Sequence, residues 1–349
     1  MAETSPIAQI AELMAKEIFK TFFWQTNGIY DQNWPCEDAT GHVPTASEPT
    51  GPTVVAATVE PKKKKAPVPK KTHPSDVVFY YDEPYGTIRT YLNCDLKSYK
   101  AGTISAAKVS KALKDLAASL SCAEKSDAWR KLYVHDNVNA AIIGLLFIYN
   151  HDEAYDRGFD EILASVNKER LEIPRGSRVV VMGPSDIQWL NNVHSEITFM
   201  RGKEELPLPH LCRFHYPNLV RKKNVQESSA ATVEMLMGPW IVMKHKKDVD
   251  SKEDVIVFYR GRGQLTDEFL HLIDYLMYHE LIGRGIGVRI RTLDPDPASS
   301  AIFKKAIADY ISAVKGGPDI ARDLGAIEYK QISKVRMNFS LVELGMKHA

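Results

Sequence analysis

The stretch that decides the fold is HPSDVVFYYDEPYGTIRTYLNCDLKSYKAGT, residues 73–103. Two runs rich in β-branched and aromatic residues flank the turn-forming sequence DEPYG, so the stretch predicts a β-hairpin with strands at Asp76–Tyr81 and about Thr87–Lys97. The second strand carries Asp95 and Lys97 near its end. Residues i and i+2 of a strand point to the same face, so these two charges project together.

A third charged residue, Asp76, begins the first strand of the hairpin. If Tyr81 pairs with Thr87 across the turn, Asp76 lies opposite Leu92. A β-bulge or an offset in register is then required to bring Asp76 to Asp95.

Convergence of these side chains would create a site for phosphate chemistry. Asp76 and Asp95 can hold a hard divalent cation, with the Leu96 carbonyl and water as further ligands. Lys97 would orient a water molecule or stabilise charge that develops on phosphoryl oxygens. Without a cation, the two carboxylates would repel each other and one pKa would rise.

The segments around the hairpin predict a compact α/β unit. A helix is expected from Ser5-Pro6 to about Phe22, and a second in TISAAKVSKALKDLAASL with Thr103 as its N-cap. AAIIGLLFIY, Ala140–Tyr149, is apolar throughout and predicts a strand covered on both faces. From about Asn27 to Thr72, prolines and the run PKKKKAPVPKK predict an irregular or disordered insertion.

The remaining sequence predicts a second domain. LEIPRGSRVVVMGP is interpreted as a hinge, which gives domains at about 1–172 and 176–349. Strands are expected at SRVVVMG, PWIVMKHK, DVIVFYRG, GVRIRTL and VRMNFSLVEL, and helices at about Thr266–Ile282 and Ser299–Val314. This order favours an α+β fold with helices on one face of its sheet.

The pattern of Asp76, eighteen intervening residues and Asp95-Leu96-Lys97 resembles the PD-(D/E)XK nuclease superfamily, the fold of many type II restriction endonucleases. The order of helix, hairpin, helix and buried strand agrees with that superfamily over roughly residues 1–170. Pro74-Ser75-Asp76 departs from a contiguous Pro-Asp pair by one inserted serine. The resemblance implies that the first helix contributes a metal-binding Glu. Glu17 borders the apolar face and is favoured over Glu12.

The resemblance implies a metal-dependent nuclease that hydrolyses phosphodiester bonds with Mg²⁺, for which Mn²⁺ can substitute. DNA is favoured over RNA as the substrate, and products would carry a 5′-phosphate. Restriction or defence against foreign DNA follows by analogy alone. Because a standalone nuclease endangers its host, we expect a homo-oligomer or a regulatory protein partner, with the second domain setting target choice, assembly or control.

Other interpretations stay open at this point. Asp95 and Lys97 can be an edge-strand ion pair while Asp76 caps a turn, or the fold can have lost catalysis. The protein can also be a non-catalytic nucleic-acid-binding or adaptor protein that uses its C-terminal domain and the basic linker. Such a protein would bind nucleic acid in a salt-sensitive manner without cutting it.

Polar residues near the motif are more simply explained by structure than by catalysis. They are His73, Ser98, Tyr99, His151 and Asp152. The Lys-rich run can be a nuclear localisation signal, a phosphate-gripping arm or a solvated linker.

Composition sets further limits. The net charge of +1 over 349 residues excludes a uniformly basic nucleic-acid-binding surface. Four cysteines without CxxC pairs argue against a disulfide framework or a zinc ribbon and favour a reducing compartment. No stretch has the roughly 18 apolar residues of a membrane span, and the N-terminus does not resemble a secretion signal. We therefore expect a cytoplasmic protein without membrane contact.

Overall fold

The computed structural model describes residues 4–38, 42, 71–135, 138–218, 230–283 and 285–335, which form two five-stranded sheets. The helices of these residues are α1 (Thr4–Thr21), α2 (Ala106–Ala123), α3 (Asp127–Tyr133), α4 (Phe159–Ser165), α5 (Pro184–Gly202), α6 (Val233–Leu236), α7 (Thr266–Tyr278), α8 (Ser299–Ala313) and α9 (Pro318–Gly325). The strands are β1 (Gln25–Pro35), β2 (Thr72–Asp82), β3 (Ile88–Tyr99), β4 (Asn139–Asn150), β5 (Val179–Met182), β6 (Cys212–Phe214), β7 (Trp240–Lys246), β8 (Glu253–Tyr259), β9 (Val288–Thr292) and β10 (Glu328–Gln331). Within this part of the chain, no helix is long and apolar enough to cross a membrane.

The first sheet has the strand order β1-β2-β3-β4-β5. β1, β2 and β3 are antiparallel neighbours, whereas β3, β4 and β5 run parallel. This confirms the predicted mixed α/β sheet, with β4 buried along most of its length. β5, which was predicted to belong to the second domain, is an edge strand of the first sheet. The first sheet therefore continues past residue 176.

Strand β1 corrects the prediction of an irregular insertion that begins near Asn27. It pairs with β2 from Gln25 to Pro35, with a shift in register between Thr26 and Tyr30. β1 is an edge strand, and backbone hydrogen bonds to β2 hold it in place although its sequence is largely polar. Without an alternating apolar pattern, the sequence of β1 did not predict a strand. The rest of the predicted insertion, residues 39–41 and 43–70 with the Lys-rich run, lies outside the described residues.

The hairpin of β2 and β3 has a different register from the predicted one. Tyr81 pairs with Thr90 rather than Thr87, because the strands continue to the pair Asp82 and Arg89. An ion pair of 2.7 Å joins Asp82 and Arg89 at this end of the hairpin. The turn is therefore longer than the prediction assumed, and every pairing shifts by three residues.

Helix α2 begins at a different cap from the predicted Thr103. The N-cap is Ser105, whose hydroxyl accepts a hydrogen bond of 3.4 Å from the Lys108 amide. Thr103 lies in a short 3₁₀ turn just before it. The predicted apolar face is confirmed, since Leu113 and Leu116 are buried against the first sheet.

The second sheet repeats the strand order and directions of the first. Its order is β6-β7-β8-β9-β10, with β6, β7 and β8 antiparallel and β8, β9 and β10 parallel. The predicted helices at about 266–282 and 299–314 are present as α7 and α8. The predicted strand VRMNFSLVEL lies outside the described residues except for Val335, which is not in a strand.

The two sheets share one hydrophobic core. α1 and α5 lie between them, and their apolar side chains form one cluster with the inner faces of both sheets. The Phe22 ring, just after α1, lies 5.9 Å from the Phe214 ring of β6. α2, α3 and α4 cover the outer face of the first sheet, and α7, α8 and α9 cover that of the second. The second sheet is therefore covered on both faces, not on one as predicted.

Candidate active site

The predicted aspartates meet where the ladder between β2 and β3 ends. Its last pair is Val77 and Cys94, and one further residue in this register places Asp76 opposite Asp95. The Asp76 carboxylate accepts a hydrogen bond of 2.6 Å from the Leu96 amide. No bulge between the two strands is needed to bring Asp76 to the motif.

Asp95 and Lys97 form an ion pair on the same face of β3. Cys94 and Leu96 point the opposite way, into the core between the sheets. Lys97 keeps 35% of its side chain exposed and Asp95 keeps 19%. The pair is thus held by the strand and is still accessible to a ligand from solvent.

The charges of this cluster act strongly on one another. Burial, together with the nearby Asp95 carboxylate, raises the pKa of Asp76 to about 6, although the Leu96 hydrogen bond and Lys97 oppose this rise. Burial alone would lower the pKa of Lys97, but the attraction and hydrogen bond of Asp95 outweigh it and raise that pKa. Lys97 is therefore a cation at neutral pH.

A third acidic group reaches this cluster from β1, and sequence reasoning missed it. The pairs Tyr30–Val77 and Gln32–Ser75 place Asp31 opposite Asp76. Asp31 has a φ of 49°, and its charge adds to the repulsion on Asp76. Asp31 is exposed, but the protein atoms around it partly desolvate its carboxylate; this and the nearby Glu12 raise the pKa of Asp31, while Lys16 opposes them. Lys16 in turn forms an ion pair of 2.7 Å with Glu12. Because β1 was interpreted as irregular, no pattern in the sequence pointed to Asp31.

Glu17 lies apart from the two aspartates. It is exposed on α1, and its charge acts on His194 of α5. Among the described contacts, none joins Glu17 to Asp76 or Asp95. Its role as a metal ligand stays a prediction, as does that of the Leu96 carbonyl. Glu12, which was predicted to be the less favoured metal ligand, is the α1 carboxylate close enough to raise the pKa of Asp31.

The flanking polar residues have structural contacts. The Ser98 hydroxyl lies 3.0 Å from His151 Nδ1. Asp152 accepts a hydrogen bond of 3.0 Å from the Ala101 amide, so the loop after β4 is tied to the end of β3. His73 is fully buried, and its Nε2 lies 3.1 Å from the sulfur of Cys36.

The arrangement suits binding of a cation and a phosphate. Two partly buried carboxylates that repel each other are stabilised by a divalent cation, and oxygen donors are the ligands that Mg²⁺ and Mn²⁺ prefer. A lysine beside them presents a positive charge to an anionic ligand. A β-hairpin that brings two aspartates and a lysine, here Asp76, Asp95 and Lys97, together beside a parallel central strand defines the class of protein, a PD-(D/E)XK nuclease.

The comparison with protein families agrees with this class. The family described as GAPS4 protein PD-(D/E)XK nuclease domain matches residues 1–186, just over half of the chain. The chain belongs to this family. The comparisons with curated proteins and with solved structures gave no match.

Proposed function

We propose that the protein is a metal-dependent nuclease that hydrolyses phosphodiester bonds of DNA, with Asp76, Asp95 and Lys97 as its reaction centre. The observation that carries this proposal is the convergence of these residues at the end of the β2–β3 ladder, within a PD-(D/E)XK domain.

Asp76 and Asp95 would hold the cation, which we propose to be Mg²⁺, with Mn²⁺ as a substitute. When bound, such a cation polarises the scissile phosphate and lowers the pKa of a bound water. The Leu96 amide fixes the orientation of the Asp76 carboxylate through its hydrogen bond of 2.6 Å. Asp76 is thus held toward Asp95 before any ligand arrives, which reduces the reorganisation that binding requires.

Lys97 would act on the phosphate. Its ammonium is held by Asp95 and is partly exposed, so it can donate hydrogen bonds to the oxygens on which charge develops. Its raised pKa keeps it protonated at neutral pH, which favours charge stabilisation over proton abstraction. We therefore assign Lys97 to electrostatic stabilisation and to orientation of the attacking water.

The second domain would control the first rather than cut nucleic acid. At the end of the β7–β8 hairpin that corresponds to the active site, the chain carries Pro239, Trp240, Tyr259 and Arg260, none of which is a carboxylate. We propose that this domain sets target choice, self-association or binding of a regulatory partner. A role in restriction or antiviral defence is proposed by analogy with the superfamily.

The test is a cleavage assay with purified full-length protein on circular, linear and single-stranded DNA and on RNA. Wild type is compared with Asp95→Asn and Lys97→Gln, with and without added Mg²⁺. Asp82→Asn is the matched control, because Asp82 also forms an ion pair on this hairpin but lies at its opposite end. We expect Lys97→Gln to slow cleavage by about 10²- to 10³-fold and the control to cut like wild type.

The outcomes separate the candidate functions. Cleavage that needs Mg²⁺ and is lost in both site variants supports the nuclease. Salt-sensitive binding by a folded wild type, without cleavage and with equal Mg²⁺ affinity in Asp95→Asn, would support the binding or adaptor protein. Gel filtration tests the assembly: a strict monomer that cuts at full rate would contradict control by self-association.

A further inference from the structure

A second group of ligand-type side chains lies beside the active-site hairpin. It consists of Cys36 just after β1, His42 in the segment that follows, His73 in β2 and Cys122 near the end of α2. One ligand atom from each residue lies within 4.8 Å of all the others. His73 and Cys122 are buried, whereas Cys36 and His42 are partly exposed.

Five of the six distances within this group lie between 3.1 and 3.7 Å, and the sixth, between Cys122 and His73, is within 4.8 Å. The two sulfurs are 3.7 Å apart, and the nitrogens His42 Nδ1 and His73 Nε2 are 3.3 Å apart. The sulfur of Cys36 lies 3.4 Å from His42 Nδ1 and 3.1 Å from His73 Nε2. The sulfur of Cys122 lies 3.6 Å from His42 Nδ1.

These edges agree with those of a tetrahedral zinc site. Zn–S bonds of about 2.3 Å and Zn–N bonds of about 2.05 Å require edges of about 3.8 Å between sulfurs, about 3.3 Å between nitrogens and about 3.6 Å between sulfur and nitrogen. The observed S–S and N–N edges lie within about 0.1 Å of these values, and the three S–N edges named above are equal or shorter.

Hydrogen bonding explains this arrangement less well. His42 Nδ1 faces both sulfurs and the second imidazole nitrogen at once, and a ring nitrogen carries at most one proton. Its distance of 3.3 Å to His73 Nε2 is longer than an ordinary N–H···N contact. One cation at the centre would satisfy all four ligand atoms together.

We propose that Cys36, His42, His73 and Cys122 form a structural zinc site, separate from the carboxylate cation site. Two thiolates and two imidazoles are a soft donor set that selects zinc over Mg²⁺, which prefers oxygen. Four protein ligands leave no coordination position for a substrate, which indicates a structural and not a catalytic metal.

The site would join the end of β1 and the start of β2 to α2. These two strands already meet there, because the Lys71 carbonyl accepts a hydrogen bond of 3.0 Å from the Cys36 amide. His73 precedes Asp76 by three residues on the same strand. Between them, Ser75 donates a hydrogen bond of 2.6 Å to Asn93 of β3. Zinc would thus hold the start of β2 in the position that presents Asp76.

The first experiment is elemental analysis of full-length protein without an affinity tag, purified without chelator. We expect about one zinc per chain in wild type and less than about a tenth of that in Cys36→Ser and Cys122→Ser. Cys212→Ser is the matched control, because Cys212 is also buried but lies in β6, outside the group. Asp95→Asn should also retain its zinc, which separates this site from the proposed active site.

X-ray absorption at the zinc edge of wild type covers the case in which the cysteine variants do not fold. Two sulfur and two nitrogen ligands are expected, and a shell of oxygen and nitrogen alone would overturn the proposal. Wild type that holds less than about a tenth of an equivalent of zinc, even after incubation with ZnCl₂, would also overturn it. So would a stoichiometric amount of another metal, or full zinc in folded Cys36→Ser.

Discussion

Replacing Asp76 by Asn should stabilise the protein in the absence of Mg²⁺. Asn has no charge to be repelled by Asp95 or to be desolvated, and its side-chain oxygen can still accept the Leu96 amide. The residue that we place at the cation site is therefore expected to cost stability when the cation is absent, as is common for buried charges that serve function.

The magnitude follows from the pKa. A folded-state pKa of about 6 against the ordinary 3.8 corresponds to about 3 kcal/mol, at about 1.36 kcal/mol per pKa unit. Because the pKa of Asp76 is higher in the folded state, Asp76 loses its proton first in the unfolded chain as the pH rises. The free energy of unfolding of wild type therefore falls between about pH 4 and 6. Asp76→Asn escapes this loss. We expect it to be more stable than wild type by about 3 kcal/mol at pH 7.5 and by about 1 kcal/mol at pH 4.5.

The assay is urea unfolding of wild type and Asp76→Asn at both pH values, in Mg²⁺-free buffer. Chelators are left out because they would also strip the proposed zinc. Added Mg²⁺ should stabilise wild type and not the variant, which narrows the difference between them. Asp82→Asn, which loses a partly exposed ion pair, should lower stability by less than about 1 kcal/mol. If Asp76→Asn were no more stable than wild type at pH 7.5, or if its gain did not change with pH, the electrostatic reasoning would be wrong.

Three further predictions test the packing and the charges. Gly183→Ala should lower the free energy of unfolding by about 1–3 kcal/mol, because a Cβ there would overlap the ring of Phe159; urea unfolding measures it, and an unchanged midpoint would contradict it. Arg291→Ala should cost about 3–5 kcal/mol, because the buried Arg291 ion-pairs with Glu196 at 3.3 Å; a loss below about 1 kcal/mol in the same assay would show that the pair contributes little. Lys97→Gln should retain Mg²⁺ binding while losing cleavage, and calorimetry that shows lost Mg²⁺ binding would refute its assignment to the phosphate.

The hairpin of β2 and β3 could be predicted from the sequence, because strand propensity, turn residues and alternation are all read from neighbouring positions. Alternation along β3 placed Asp95 and Lys97 on one face, and the structure confirms this. The predicted pairing register of β2 and β3 was wrong, because the register depends on where the turn between the strands begins. The pairs continue to Asp82 and Arg89, and Gly86 in the turn adopts a φ of 140°. Hydrophobic pattern alone does not fix such a turn.

Features built from distant residues could not be predicted. Cys36 follows β1 and Cys122 lies in α2, far apart in the sequence, so the absence of CxxC pairs said nothing about a site assembled by folding. The repeated strand order is likewise a property of backbone pairing and leaves no periodic signal in side chains. Asp31 depends on an irregular strand whose place is set by β2 rather than by its own sequence.

The central layer of helices has a consequence for how the protein folds during synthesis. α1 is translated before α5 and the second sheet, yet Phe22 and Trp24, which directly follow α1, contact Phe214 and Ala231. Contacts between such distant positions close slowly, because the chain loses entropy before they form. The apolar inner face of the first sheet remains uncovered until α5 and the second sheet arrive. The nuclease domain therefore cannot complete its hydrophobic core during synthesis until the second sheet has been translated.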